Sequence, residues 1–244
     1  MVPLVVRPAA QANQLVQMLH QLGHAPLCCP LLETRPGCDL PHLGDMLREA
    51  DLVIAVSMHA VHFAHYFLLQ TGQTWPHIDY FAVGQASADA FAEAGIQALC
   101  PADPRSEGLL ALPALQGVSG RRVLILRGND GRDLIARTLA SRGALVHYCA
   151  TYERHYPELD GDALTRHWQA AGLDSLLITS GELLQRLLAL VPGPQHPWLY
   201  DRLLVVPSPR VAEMAEGAGF TRIVIAQGAS NQALVAALEL RKME

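Results

Sequence analysis

The chain has 244 residues, half of them apolar and 17% charged, with a net charge of −5. That composition supports a sizeable core and excludes a disordered chain. The acidic balance, with no run of Lys or Arg, excludes a duplex nucleic-acid groove and an anionic membrane surface as partners. Five cysteines without a CxxC pair read as thiols in a reducing cytosol. The N-terminus lacks a basic segment followed by a long apolar core, and no apolar run approaches the roughly 20 residues of a membrane span. A soluble cytoplasmic protein is expected.

In chain order, short apolar runs alternate with amphipathic stretches: LVV at Leu4, LCC at Leu27, LVIAV at Leu52, YFAV at Tyr80, a weak IQALC at Ile96, VLIL at Val123, LVHY at Leu145, SLLI at Ser175, LLVV at Leu203 and RIVI at Arg222. Alternation of this kind predicts parallel βα units, because parallel strands need a crossover and are buried on both faces. The runs repeat. The segment from Val5 overlays the segment from Ile125 with Arg7 on Arg127, Leu15 on Ile135, Leu19 on Leu139, Gly23 on Gly143 and Glu33 on Glu153, all 120 apart. Further on, LVIAVSMHAV overlays SLLITSGELL with Ser57 on Ser180, 123 apart, and FAVGQASADAF overlays the segment from Leu204. Two copies of about 122 residues account for the whole chain.

After the second strand of each copy, PLLETRP and ATYERHYP carry polar residues along an extended stretch and stop at a proline. Such pieces suit connectors, so the chain is expected to leave one body near residue 34 and return near 154. Residues 35–154 then form an inserted domain, and residues 1–34 with 155–244 form a discontinuous one.

In parallel sheets, ligands collect beyond the carboxyl ends of the strands, where helix N-termini present free N–H groups. The exits here are small, hydroxylated or arginine-bearing: Arg7, Ser57, Gly84, Arg127 to Arg132, Thr179 to Gly181, Ser208 to Arg210, and Gln227 to Ser230. The P-loop and GxGxxG patterns are absent, which argues against a nucleotide even though RGNDGR looks fit for a phosphate. His59, His62 and His65 share a helical face but have no second ligand group, so no metal is expected. No GxSxG elbow occurs. The exit serines are also ordinary helix N-caps. Two facing sheets would line one cleft with many neutral N–H donors and few cations, as suits a large polyanion bound loosely.

LILRGNDGRDLIARTLASRGALVHYCATYER, with AVSMHAVHFA, YFAVGQASADAFAEAGI, LLITSGELLQRLL, VVPSPRVAEMAEGAGF and IAQGASNQALVAAL, resembles the bacterial uroporphyrinogen-III synthase family over nearly the whole chain. The resemblance implies an α/β fold of two flavodoxin-like domains, each a five-stranded parallel sheet with flanking helices. A two-stranded antiparallel connector joins them, and the active site lies in the cleft between. It implies closure of the linear tetrapyrrole hydroxymethylbilane to uroporphyrinogen III, with ring D inverted and water lost, without metal or organic cofactor. Tyr152 matches the family's tyrosine general acid. The resemblance places substrate contacts at Arg7, Ser57, His59, Gln85, Ser87, Arg127, Asn129, Asp130, Gly131, Arg132, Thr179, Ser180, Gly181, Ser208, Pro209 and Arg210. Val56 stands where a threonine is common in the family. A monomer is expected. A two-lobed binding or sensor module for a small polyanion is the alternative from another class, and a two-domain sugar-nucleotide transferase is a third reading.

Overall fold

The computed structural model describes residues 1–242, so the last two residues of the expected discontinuous domain lie outside it. In chain order the elements are β1 (Pro3–Val5), α1 (Ala9–Gln21), β2 (Leu27–Cys28), β3 (Glu33–Pro36), α2 (Leu43–Glu49), β4 (Leu52–Ala55), α3 (Met58–Gln70), β5 (Asp79–Ala82), α4 (Gln85–Glu93) and α5 (Ser106–Leu110). There follow β6 (Arg122–Gly128), α6 (Leu134–Ser141), β7 (Leu145–His155), α7 (Gly161–Ala170), β8 (Ser175–Leu177), α8 (Gly181–Leu190), α9 (His196–Tyr200), β9 (Leu203–Val206), α10 (Pro209–Ala218), β10 (Ile223–Ile225) and α11 (Asn231–Lys242).

These elements form two compact units: Met1–Glu33 with His155–Glu244 (unit 1), and Thr34–Arg154 (unit 2). Unit 1 holds a sheet in the order β10-β9-β8-β1-β2, with every pairing parallel. Counted along the unit's own chain this is the 2-1-3-4-5 order of a doubly wound sheet. In unit 2 the order is β3-β7-β6-β4-β5, with β7, β6, β4 and β5 mutually parallel. A single parallel bridge between Phe81 and Leu99 stands beyond β5. The weak run at Ile96 thus supplies a bridge rather than a strand. It is short, it is cut off by Pro101, and Leu99 is 55% exposed, so no apolar face holds it down.

Each unit combines half of each sequence copy. Unit 1 takes β1 and β2 from the first copy and β8 to β10 from the second, while unit 2 takes β4 and β5 from the first and β6 and β7 from the second. In both units the strand pair that opens a copy lies beside the strands that close the other copy.

Both sheets are buried on both faces, which explains why strands such as Leu52–Ala55 and Leu203–Val206 are continuously apolar rather than alternating. In unit 1 one face packs around Leu4, Val6, Trp168, Leu184 and Leu204, and the other around Val5, Leu15, Leu19, Val205 and Leu234. In unit 2 the corresponding faces gather Val53, Ala55, Leu124, Leu126 and Cys149, and Ile54, Phe81, Ile125, Ile135 and Leu139. Helices of 10 to 13 residues whose apolar positions recur at i and i+4, as Leu15 and Leu19 do in α1, are held by these faces more than by propensity. No helix among the described residues is long and apolar enough to cross a membrane.

Candidate active site

Tyr152 sits near the end of the 11-residue β7, where the pairing with β6 slips by one residue: Arg127 faces Ala150, but Gly128 faces Tyr152. Strict alternation would send Cys149 and Tyr152 to opposite faces of the sheet. The slip returns Tyr152 to the face that already buries Cys149, the one covered by α3. The extra residue, Thr151, is fully buried and donates its hydroxyl proton to the carbonyls of Ala60 (3.0 Å) and Arg127 (3.3 Å), which pins the bulge. Gly128 makes room for the ring, since a Cβ there would stand 2.8 Å from Tyr152 Cζ. The first glycine of the RGNDGR loop, Gly128, therefore serves the tyrosine.

The phenol ring lies 6.0 Å from Phe63, nearly parallel to it, and 5.8 Å from the His59 imidazole. Ser57 caps α3, its Oγ accepting from Ala60 N at 3.2 Å and lying in hydrogen-bond contact with the Tyr152 hydroxyl at 3.2 Å. The two hydroxyls share one hydrogen bond, and among the described residues no carboxylate or carbonyl accepts from the phenol. Burial, with the neighbouring charges of His62 and Arg154, holds the His59 imidazole below its ordinary pKa, so it is neutral at pH 7. The other two histidines of this face are engaged elsewhere: His62 lies 3.2 Å from Glu93, and His65 Nδ1 accepts from Trp75 Nε1. Among the described residues no group of three or more His, Cys, Asp or Glu could hold a metal ion.

Arg127 leaves β6 on the opposite face from Tyr152, into a small pocket of about 220 Å³ lined by Val56, Val83, Ile125, Ile135 and Tyr148 together with Asp130 to Arg132. Its charge is met there. Nη1 lies 3.2 Å from Asp133 Oδ1, and the guanidinium stands 4.6 Å over the Tyr148 ring. Tyr148 also donates its hydroxyl to Asp133 at 3.0 Å, and this bond and the Arg127 contact hold the Asp133 carboxyl below its usual range. Asn129 anchors the neighbouring strand, donating its N–H to Tyr152 O (3.1 Å) and accepting at Oδ1 from Arg154 N (2.9 Å). Asp130 accepts from Gly131 N, and Gly131 has φ +144, a conformation that L side chains rarely adopt. Arg132 is exposed. Gln85 donates to Asp89 within α4, and Ser87 is 4% exposed and turned into the fold.

In unit 1, Ser180 caps α8 by accepting from Leu183 N at 3.2 Å. Thr179 is half-buried beside it, and Gly181 is tightly packed, since a Cβ there would meet Met214 Sδ at 2.7 Å. Ser208 stands at the N-cap of α10 without a side-chain cap bond, followed by exposed Pro209 and by Arg210, which approaches Met214 Sδ at 3.8 Å. Arg7 is half-buried at the end of β1. It donates from Nη1 to Asn231 Oδ1 and from Nη2 to Gln11 Oε1 (3.0 Å), and burial lowers its pKa.

Residues that the sequence reading passed over therefore include Phe63, Thr151, Asp133, Tyr148, Gln11 and Asn231. Only the repeat overlay held a signal for one of them, since Asp133 falls on Asn13 at the 120-residue offset.

Comparison with known proteins gives one consistent result. Residues 13–236 match the family profile described as uroporphyrinogen-III synthase HemD. The chain is 44% identical over 244 residues to "Uroporphyrinogen-III synthase" of Escherichia coli K12, covering 97% of this chain and 99% of that protein. It is 42% identical over 243 residues to the protein of the same name from Salmonella typhimurium, again with 97% and 99% coverage. Among solved structures, a uroporphyrinogen III synthase from the extreme thermophile Thermus thermophilus matches all of both chains with a TM-score of 0.65 at 19% identity. One from Helicobacter pylori covers 88% of this chain and 92% of its own, with a TM-score of 0.55 at 18% identity. At such identities these structures speak for the two-domain α/β fold alone.

Proposed function

Because the chain belongs to the uroporphyrinogen-III synthase family, we propose that it closes hydroxymethylbilane to uroporphyrinogen III in tetrapyrrole biosynthesis, with loss of water and inversion of ring D. The reaction is a cyclising elimination. The bond from the hydroxymethyl carbon to oxygen breaks with its electrons leaving on oxygen, and that oxygen takes a proton and departs as water. Electron density from the pyrrole nitrogen stabilises the resulting cation. The substituted carbon of ring D attacks it to give a spirocyclic pyrrolenine. Breaking the bond from that carbon to its original bridge regenerates a cation on that bridge, and the formerly unsubstituted α-carbon of ring D attacks it and loses its proton, which leaves ring D reversed. Ionisation of such a pyrrole is intrinsically easy, so the protein's main task is orientation, making the substituted carbon react first.

Tyr152 is the proposed general acid for the departing hydroxyl. The observation that carries this role is the environment of the phenol hydroxyl: its hydrogen-bond partner among the described residues is the Ser57 hydroxyl at 3.2 Å, and no carboxylate or carbonyl holds its proton. The neutral imidazole of His59 and the Phe63 ring flank it without competing for that proton. A positioned acid contributes about 10²–10⁴-fold.

Substrate carboxylates are proposed to meet the strand exits. In unit 2 these are Ser57, His59, Gln85 and the 129–132 loop, and in unit 1 they are Arg7, Thr179 to Gly181 and Ser208 to Arg210. Helix N-terminal N–H groups at these exits suit carboxylates. Ser87 is left out because its side chain is buried, and Arg127 contributes through the loop it braces, since Asp133 already meets its charge. Five unbridged thiols fit action in the cytoplasm, and the proposed working form is a monomer. The test is the isomer assay: fresh hydroxymethylbilane given to the purified protein is expected to yield type III product. Type I alone, the outcome of unassisted closure, would overturn the assignment.

A further inference from the structure

The two sequence copies place an arginine at the end of their first strand, Arg7 and Arg127, but surround it differently. Arg127 has Asp133 within 3.2 Å. At the matching position, 120 residues earlier, stands Asn13, which is exposed and carries no charge. Among the described residues no carboxylate forms an ion pair with Arg7. Its acceptors are the neutral amide oxygens of Asn231 and Gln11, and its Nε is buried with no acceptor at all. The amide of Asn231 is itself fixed, because its Nδ2 donates to Gln14 Oε1 at 3.1 Å and so turns Oδ1 toward the guanidinium.

A guanidinium stays protonated in proteins, and partial burial makes its charge costly unless an anion meets it. Here the neighbours fix the group's orientation while leaving its charge uncompensated. They come from the N-terminal turns of α1 and α11, whose N–H groups add to the positive potential at this end of the sheet. Ser230 caps α11 through Ala233 N, which aligns the turn that carries Asn231.

We propose that Asn231 and Gln11 are positioning residues, whose amides hold the guanidinium of Arg7, already proposed above as a carboxylate contact of unit 1, ready without neutralising it. Resting on the synthase reading, the carboxylate is one of those on the acetate or propionate arms of the tetrapyrrole. The amide at position 231 is the specificity-determining feature: a carboxylate there would keep the hydrogen bond and take the place meant for substrate.

The experiment is Asn231→Asp, alone and combined with Arg7→Met. Each protein is assayed with hydroxymethylbilane for KM and kcat, and by fluorescence for binding of uroporphyrin III, a stable octacarboxylate. The single variant is expected to raise KM and the uroporphyrin Kd about tenfold or more, the scale of one charge-assisted contact, with kcat nearly unchanged and Tm equal or higher. Beside Arg7→Met the aspartate is expected to add less than a twofold effect. An unchanged KM and Kd in folded Asn231→Asp overturns the proposal, and so does an equal tenfold effect in the Arg7→Met background, which would mean that position 231 acts without the arginine. If the wild type forms only type I product the synthase reading falls, while the uroporphyrin arm still decides whether Arg7 receives a carboxylate.

Discussion

The exits of β1 and β6 began as the same sequence feature, and the structure gives them different chemistry. At the β6 exit the arginine is neutralised by Asp133 and covered by Tyr148, and the loop uses its glycine to make room for Tyr152. At the β1 exit the matching positions are Pro8 for Gly128, Asn13 for Asp133 and Leu32 for Tyr152, and Leu32 is 8% exposed within the core. Unit 2 therefore carries Tyr152 on one face of its sheet and an ion-paired arginine on the other, and unit 1 carries an arginine without an ion pair among the described residues. On the proposed readings, the two matching exits divide proton donation and anion binding between them through a handful of side chains.

The largest effect that could break this division is expected from Tyr152→Phe. It should lower kcat by about 10²–10⁴-fold while changing KM little, and by far more than Ser208→Ala does. A loss below about threefold in steady-state assays would remove the tyrosine as acid. Next comes Gly128→Ala. The added methyl meets the phenol ring, so urea denaturation should register a loss of about 1–3 kcal/mol, the usual cost of overpacking, together with a fall in kcat. Wild-type stability would mean that the ring has other room.

Ser57→Ala and Ser180→Ala sharpen the comparison further. Both remove an N-cap bond at 3.2 Å, so each should cost about 1 kcal/mol in denaturant titrations. Only Ser57 touches a phenol, however, so only Ser57→Ala should lower kcat severalfold. Equal kcat values would dissolve the distinction.

The smallest effect is expected from Asp133→Asn, read as Tm against pH. The hydrogen bond from Tyr148, and then Arg127, depress the Asp133 pKa in the folded state. Its stabilisation is therefore present above the unfolded carboxylate value of about 3.9 and is lost as pH falls through the lower folded value. The variant should have a slightly lower Tm at pH 7 and a shallower decline between about pH 5 and 2. A decline identical to the wild type's would show the pair to be inert.

Much of the fold was legible because its signals are local and periodic. Buried parallel strands demand uninterrupted apolar runs, and a duplicated unit repeats them at a fixed offset, so nine of the ten runs picked out along the chain coincide with strands. The weak tenth misled because one exposed leucine cannot fix a strand. At the site, the serines at positions 57 and 180 were legible as helix caps, since capping depends on neighbours two or three residues away. Ser87 was not, because the face of α4 that turns inward is set by packing and not by the exit it follows.

The sequence by itself determined the doubly wound class, the duplication, the extended segments that leave one unit and return to it, and the family. Each of these is written in spacing along the chain. The tertiary structure alone decided that a one-residue slip returns Tyr152 to the face of Ser57 and Phe63, that Asp133 pairs with Arg127, and that a residue 224 positions away, Asn231, holds Arg7 in place. A β-bulge and a charge balance depend on which atoms meet across the fold, and spacing along the chain carries no record of either.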